Sequence, residues 1–343
     1  MAPKKGAAKK KADATAPKPA DEVPKQEEEN KDEAPTGETT VANGDNQDEA
    51  PADTEAGKKP SKKRKQVVDS DEPQKAARRS GRGAPRSQPS QQQLLNYMLS
   101  KDAEELCRPD DESAAIKERY DIRTYSSSAL NPFEELLCAV VLSRPISHRL
   151  GLRSIRTILN EPYNFTSAKA VQEAGTEKHH QALWDARTQH KAKTAEEIGH
   201  VADVVLSKFT AADDKEGTQM QKVRDDCGRD VPKERQYLKD SINGLGKTGL
   251  DIFFRRVQWL WTAGYPFVDE RTMQALRKLS LPEEGEELEK ALAEHWKKLD
   301  TEHLVGKDEA TKKRRAFVTI LERATGSDLE GKSEALVEAA AAV

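Results

Sequence analysis

Large apolar side chains are absent from the first 93 residues of this chain. From Met1 to Gln93 there is no Leu, Ile, Phe, Tyr or Trp. Such a segment cannot bury enough apolar surface to offset the conformational entropy that is lost on ordering. We therefore predict a disordered, charged tail over residues 1–93. Large apolar residues recur from Leu94 onward, and all four Trp lie there, so this part can bury a substantial core.

The net charge is unevenly distributed along the chain. The whole chain carries −3, and residues 1–93 carry 19 Lys and Arg against 17 Asp and Glu, a net +2, which leaves −5 for the rest. Any contact of the folded part with nucleic acid must therefore use a local basic patch.

One basic run in the tail is typical of a nuclear localisation signal or a nucleic-acid contact. Its residues are Lys58, Lys59, Lys62, Lys63, Arg64 and Lys65. A solvated linker with balanced charge is compatible with the same residues. We expect a nuclear protein on this basis.

The three cysteines, Cys107, Cys138 and Cys227, form no disulfide framework and indicate a reducing compartment. They are too far apart for a zinc knuckle or a four-cysteine iron–sulfur site. No apolar run approaches the ~20 residues of a membrane span. The seven His show no metal-ligand spacing. We expect an intracellular protein with no metal site and no membrane partner.

Apolar residues after Gln93 recur mostly at helical spacing. The stretch "NPFEELLCAVVLS" has a Pro near a helix start, and its apolar residues follow a period of 3.6. Strand-like alternation is scarce. The sequence therefore predicts an all-α domain of many short helices over residues 94–330, a long polar loop over 210–230 and a flexible C-terminus over 331–343.

The stretch "SINGLGKTGLDIFF", residues 241–254, raises the question of a phosphate-binding loop. A nucleotide P-loop needs a Gly where this chain has Ser241, and a strand ahead of it, whereas the preceding residues are helical and charged. A helix, a Gly-x-Gly turn and a second helix instead predict a hairpin with an anion site at the second helix. The DNA backbone suits such a site, although the glycines alone are equally typical of a turn without a ligand.

Three sequence motifs, in the same order along the chain, resemble those of the helix–hairpin–helix GPD DNA glycosylases of the endonuclease III superfamily. The hairpin residues that match are Leu238, Ile242, Gly244, Leu245, Gly246 and Lys247. Asn243 replaces the usual Pro, and Gly249 replaces the usual Ala. Upstream, "NPFEELLCAVVLS" is similar to the family's "PFE-L-L-AVLLS". Downstream, Val268 and Asp269 match its Val-Asp pair at a helix start.

The resemblance covers roughly residues 131–280 and implies a two-lobed fold, with one lobe over 131–263 and the second formed by 94–130 together with 264–330. It implies that Asp269 is the catalytic residue, which stabilises an oxocarbenium-like transition state or activates water after the base is flipped out. A helix N-cap is the structural alternative for this Asp, and the two roles are compatible.

The lyase lysine of bifunctional members is replaced by Thr248, so the resemblance implies a monofunctional enzyme that forms no Schiff base. The implied DNA-binding residues are Gly244, Leu245, Gly246, Lys247, Thr248 and Arg144. Arg144 and Pro145 stand in the register of the family's Ala-Gln wedge, and Arg144 or His148 would have to replace the Gln.

Other family features are missing. The four-cysteine cluster signature is absent, and Gln274 stands where the family has an Arg. We expect no cofactor, and in particular no iron–sulfur cluster, while a monovalent cation at the hairpin carbonyls stays open. Arg255, Arg256 and the run 312–315 are further candidate phosphate contacts. The nearby aromatic residues, Phe253, Phe254, Trp259 and Trp261, are expected in the core.

The leading hypothesis is a nuclear, monomeric protein that binds double-stranded DNA and excises a damaged or mismatched base as a monofunctional N-glycosylase. A catalytically inactive DNA- or chromatin-binding protein with the same hairpin is the alternative. A protein-interaction scaffold is a third, which the acidic balance of the folded part favours. All three hypotheses stay open, because fold does not fix function.

Overall fold

The computed structural model describes residues 88–343, and within them all regular structure is helical. The predicted all-α class is confirmed for this part of the chain. The tail residues 1–87, with the basic run at 58–65, lie outside it. The thirteen described helices are α1 (Gln91–Leu99), α2 (Asp110–Glu118), α3 (Pro132–Leu142), α4 (His148–Leu159), α5 (Ala168–Asp185), α6 (Lys191–Val204), α7 (Gln221–Asp226), α8 (Val231–Ser241), α9 (Lys247–Val257), α10 (Glu270–Lys278), α11 (Gly285–His295), α12 (Glu309–Leu329) and α13 (Ser333–Ala341).

Helix α1 begins inside the segment that the sequence predicts to be disordered. The Ser90 hydroxyl accepts a hydrogen bond from the Gln93 amide at 3.2 Å, and the Gln93 side chain accepts one from the Ser90 amide at 3.0 Å. This capping box starts the helix at Gln91, before its first apolar residue. The predicted start of the folded part at Leu94 is therefore three residues too late.

Two separate hydrophobic clusters form the core of the described residues. The first draws on residues 125–261 and surrounds α3, in which every residue from Pro132 to Val141 is buried. Asn131 and Glu134 form a capping box at the start of α3, and the Pro occupies its first turn. The second cluster draws on residues 94–107 and 275–340.

Two segments that we expected to be irregular contain helices. In the predicted flexible C-terminus, α13 packs on the second cluster with Leu336 and Ala340 fully buried, so this prediction is wrong. The predicted loop at 210–230 contains α7, and its Met220 and Val223 are fully buried. Single apolar residues at helical spacing were sufficient to anchor these short helices, because each packs on a core that already exists.

The burial of Leu336 leads to a stability prediction. Leu336→Ala is expected to lower the free energy of unfolding by about 2–4 kcal/mol, because the lost apolar contact leaves a cavity in a packed core. Urea unfolding followed by circular dichroism measures it. The matched control is Leu329→Ala, since Leu329 is 43% exposed, and its effect should stay below about 1 kcal/mol. Equal effects of the two substitutions would show that α13 does not pack as described.

Candidate functional site

A cavity of about 410 Å³ is lined by residues from elements of both hydrophobic clusters. Its lining comes from the segments before α2 and before α3, the end of α3, the start of α4, α9 as far as Arg255, the first turns of α10 and the last turns of α12. The volume lies within the range of small-molecule sites. Its chemically important side chains are Tyr125, Lys247, Thr248, Arg255, Asp269 and Glu322.

Asp269 lies in the cavity wall and also caps α10. Its position is therefore compatible with both roles considered from the sequence, a catalytic carboxylate and a helix N-cap. Its Oδ1 accepts hydrogen bonds from the amides of Arg271 (3.1 Å) and Thr272 (3.2 Å). Its Oδ2 accepts from the Thr272 hydroxyl at 2.7 Å and from Arg255 Nη1 at 2.9 Å. Burial alone would raise the pKa of Asp269, but the Arg255 charge and these hydrogen bonds outweigh it and hold the pKa below its ordinary value. The carboxylate is therefore ionised at neutral pH.

The two adjacent arginines of α9 are buried and do not face solvent. Arg255 Nε donates to Glu322 Oε1 at 2.6 Å, in addition to the contact with Asp269. Arg256 is 2% exposed and donates to both carboxylate oxygens of Glu135, at 2.9 and 3.0 Å. The prediction that these arginines contact phosphate is wrong, because their charges are already paired inside the protein. The available signal was Glu135, because α3 has two adjacent carboxylates before an apolar run and its N-terminal capping box uses only Glu134.

The glycine turn between α8 and α9 has the geometry that the sequence indicated. Gly244 has φ +83°, a conformation that residues with a side chain rarely adopt. Leu245 is buried, whereas a Cβ at Gly246 would touch nothing within 4 Å. No described side chain caps α9, so the amide groups of its first turn point outward without a side-chain partner.

Arg144 lies beneath this turn. Its Nη1 is 3.0 Å from Glu197 Oε1, and its Nη2 is 3.4 Å from the Gly244 carbonyl oxygen. Only 15% of the Arg144 side chain is exposed. The other candidate wedge, His148, is 2.6 Å from Glu330 through Nδ1. Both side chains are held by partners within the protein, so their placement does not support the predicted role of either as a wedge in DNA.

Lys247 and Thr248 lie at the rim of the cavity. The Lys247 side chain is 76% exposed, and its Nζ is 3.0 Å from Asp251 Oδ2 and 3.9 Å from Glu270 Oε2. The hydrogen bond and charge of Asp251 raise the pKa of Lys247, so its amine is protonated at neutral pH. A protonated amine binds anions and is not a nucleophile. Thr248, at the lyase position, is exposed and has no amine.

The remaining candidates lie away from the cavity. Arg315 is 7% exposed, stacks on Trp259 at 5.1 Å and donates to the Ser128 carbonyl at 3.0 Å. Burial lowers the pKa of Arg315 to about 10. Arg314 donates to the Trp259 carbonyl. Both arginines of the run 312–315 are therefore engaged within the protein, and neither is free to contact phosphate. The predicted burial of the aromatic residues is confirmed for Phe253, Phe254, Trp259 and Trp261.

Comparison with known protein families, with curated proteins and with solved structures gives no match for this chain. Within residues 88–343, no helix is long and apolar enough to cross a membrane. In the same residues, no three His, Cys, Asp or Glu side chains come together as metal ligands would.

The buried contacts of Arg255 lead to a pH-dependent prediction. Arg255→Gln is expected to destabilise the protein by about 3–5 kcal/mol at pH 7, because it leaves buried carboxylates unpaired. The loss should be smaller near pH 4. In the wild type, the lowered pKa of Asp269 gives stability that is present above about pH 4, whereas in the variant the unpaired carboxyl opposes folding as it ionises.

Urea unfolding at a series of pH values measures this difference. Arg119→Gln is the matched control, because Arg119 and its partner Asp121 are both exposed, and an exposed ion pair contributes about 0–1 kcal/mol. Adding Asp269→Asn to Arg255→Gln should cost less than the sum of the single changes, since the two groups interact directly. Additive effects would contradict the pairing.

Proposed function

We propose that this chain binds double-stranded DNA through the turn between α8 and α9 and hydrolyses the N-glycosidic bond of a damaged or mismatched base that enters the cavity. The proposal rests on one observation, the closeness of a possible phosphate-binding turn to an ionised carboxylate. The uncapped first turn of α9 and the ionised Asp269 belong to the lining of the same cavity.

The turn offers three features that suit a phosphate group. The free amides at the start of α9 combine with the positive end of the helix dipole. Gly246 has no side chain and meets open space, so a backbone phosphate can approach closely. Lys247 adds a protonated amine beside these amides. Its acidic neighbours Asp251 and Glu270 restrict this attraction to short range.

The cavity supplies the chemistry that excision requires. A base must leave the helix before its glycosidic bond can be reached, and the cavity has the volume of a small-molecule site. The positive charge that develops on the sugar would lie near Asp269, whose carboxylate stabilises it or orients a water molecule. Thr248 cannot form a Schiff base, so water is the nucleophile and the strand stays intact.

A second function is favoured by the contacts of Asp269. Both of its carboxylate oxygens already accept two hydrogen bonds, and Arg255 places a positive charge 2.9 Å away. A carboxylate held in this way is also what a purely structural helix cap requires. The second candidate is therefore a protein that binds DNA with the same turn and does not cleave the glycosidic bond.

A single-turnover excision assay decides between the two functions. Duplexes with alkylated, oxidised, deaminated and mismatched bases are incubated with excess protein, and alkali then reveals abasic sites. We expect release from at least one duplex, without strand cleavage before alkali, and a loss of roughly 100-fold or more in Asp269→Asn. Asp308→Asn is the matched control, because Asp308 caps α12 outside the cavity lining and should leave release unchanged.

Release by none of the duplexes, with DNA binding retained, would support the non-catalytic function. If the protein neither releases a base nor binds DNA, the result would instead support the third hypothesis, a protein-interaction scaffold.

The salt dependence of DNA binding tests the role of the turn. Lys247→Ala should weaken duplex binding and reduce the slope of log affinity against log salt by about one, because one fewer phosphate is neutralised. Fluorescence anisotropy from low to physiological salt measures the slope. Lys290→Ala is the control, since Lys290 is exposed on α11, which packs in the second cluster. Equal slopes for the two variants would remove Lys247 from the DNA interface.

A further inference from the structure

The carboxylate of Asp269 has no acceptor site left for a water molecule. An ionised carboxylate offers about four lone-pair sites, two on each oxygen. Oδ1 accepts the amides of Arg271 and Thr272, and Oδ2 accepts the Thr272 hydroxyl and Arg255 Nη1, all at 2.7–3.2 Å. Asp269 can therefore offset positive charge in the cavity, but it has no free oxygen site with which to orient a water molecule or take its proton.

Glu322, on α12, is a second carboxylate of the same cavity lining. Its Oε1 accepts a hydrogen bond from Arg255 Nε at 2.6 Å, so one guanidinium holds both carboxylates. Its Oε2 accepts no hydrogen bond from the described residues, and Arg256 Nη1, 3.9 Å away, is too distant to donate one. Glu322 is therefore fixed through one oxygen and has the other unused.

The unused oxygen of Glu322 is accessible from the cavity. Some oxygen and nitrogen atoms without a partner among residues 88–343 are fully enclosed, and Glu322 Oε2 is not one of them. The Glu322 side chain is 10% exposed. Thr325, Gly326 and Leu329 also line the cavity, and their spacing from Glu322 places all four residues on one face of α12. The exposed part of Glu322 therefore points into the cavity.

We propose that Glu322 is a second catalytic residue, whose free Oε2 orients the attacking water molecule and takes its proton. The inference rests on the proposed function and deepens it. As the bond between C1′ of the sugar and the base nitrogen breaks, its electron pair leaves with the base, which takes a proton from solvent. Positive charge develops on the sugar beside Asp269. A lone pair of the water forms the new C1′–O bond, and Oε2 accepts the proton that the water loses.

The test uses the full-length protein, the variant Glu322→Gln and a duplex whose base the wild type releases. The amide keeps the shape of the side chain and can still accept from Arg255, but it does not take a proton. We expect single-turnover release to fall roughly 100-fold or more, because a positioned general base contributes about 10²–10⁴-fold. Binding of a duplex with a tetrahydrofuran abasic analogue should stay at the wild-type level, since the glycine turn is unchanged.

Azide distinguishes a catalytic base from a carboxylate with a structural role alone. It carries its own electron pair and has no proton to lose, so it attacks C1′ without a base. Sodium azide added to Glu322→Gln, and to the smaller Glu322→Ala, should restore release and leave an azide group on C1′, which mass spectrometry detects. Asp269→Asn should not be restored, because its loss is one of charge stabilisation.

Glu234→Gln is the matched control. Glu234 is 1% exposed, accepts a hydrogen bond from Arg224 Nε at 2.8 Å and does not belong to the cavity lining. Replacing it removes the same kind of buried ion pair, so Glu234→Gln should lose stability in urea unfolding and keep the wild-type rate of release.

Each result decides the inference separately from the proposed function. Loss of release in Glu322→Gln together with rescue by azide supports the role of Glu322. If the wild type releases a base and Glu322→Gln releases it equally fast, or if azide restores neither Glu322 variant, this role is overturned and the glycosylase function stands. Equal wild-type rates in ordinary and heavy water, a measurement that needs no variant, would also overturn it, because no proton would then move as the C1′–O bond forms. If the wild type releases no base, both proposals fall.

Discussion

Two neighbouring buried arginines on α9 determine how the parts of this site are held together. Arg256 pairs with Glu135 on α3, inside the first hydrophobic cluster. Arg255 pairs with Glu322 on α12 and with Asp269 at the start of α10, both beside the second cluster. Buried charges are tolerated only when they are paired in good geometry, so these contacts restrict α9 to one position against three helices. Because α9 also carries the glycine turn, the same contacts fix the turn relative to Asp269 and the cavity.

The charge balance of this network bears on what Asp269 can do. Arg255, Arg256 and the buried Arg315, whose charge also acts on Glu135 and Glu322, contribute three positive charges. The carboxylates of Asp269, Glu322 and Glu135 balance them. The single charge of Arg255 is divided between two carboxylates. It therefore orients Asp269 and keeps it ionised. In the proposed reaction, this ionised carboxylate is the group that would face the cationic transition state.

The sequence allowed the local features of this site to be predicted, and it failed where partners are distant along the chain. The helical period of α3, the glycine turn and the cap at Asp269 each depend on residues within a few positions of one another. Glu322, which pairs with Arg255, and Glu135, which pairs with Arg256, lie 67 and 121 residues away, so the sequence pattern indicated surface phosphate contacts for two buried guanidinium groups. The cavity could not be predicted for the same reason, since its walls come from segments spread over residues 104–329.

The position of Arg144 explains how an atypical turn can keep its shape. A Cβ at Gly244 would lie 3.0 Å from Glu197 Oε1 and 3.3 Å from Arg144 Nη2, so the turn rests directly on this ion pair. The guanidinium lies near the Gly244 carbonyl oxygen and supports the turn where Asn243 replaces the rigid Pro of the glycosylase pattern. The Arg144 side chain therefore holds the backbone of the turn. Under the proposed function, recognition of DNA at this face would depend on the backbone amides of the turn and on Lys247, groups that act at contact distance, because exposed charges are screened within about 8 Å at physiological salt.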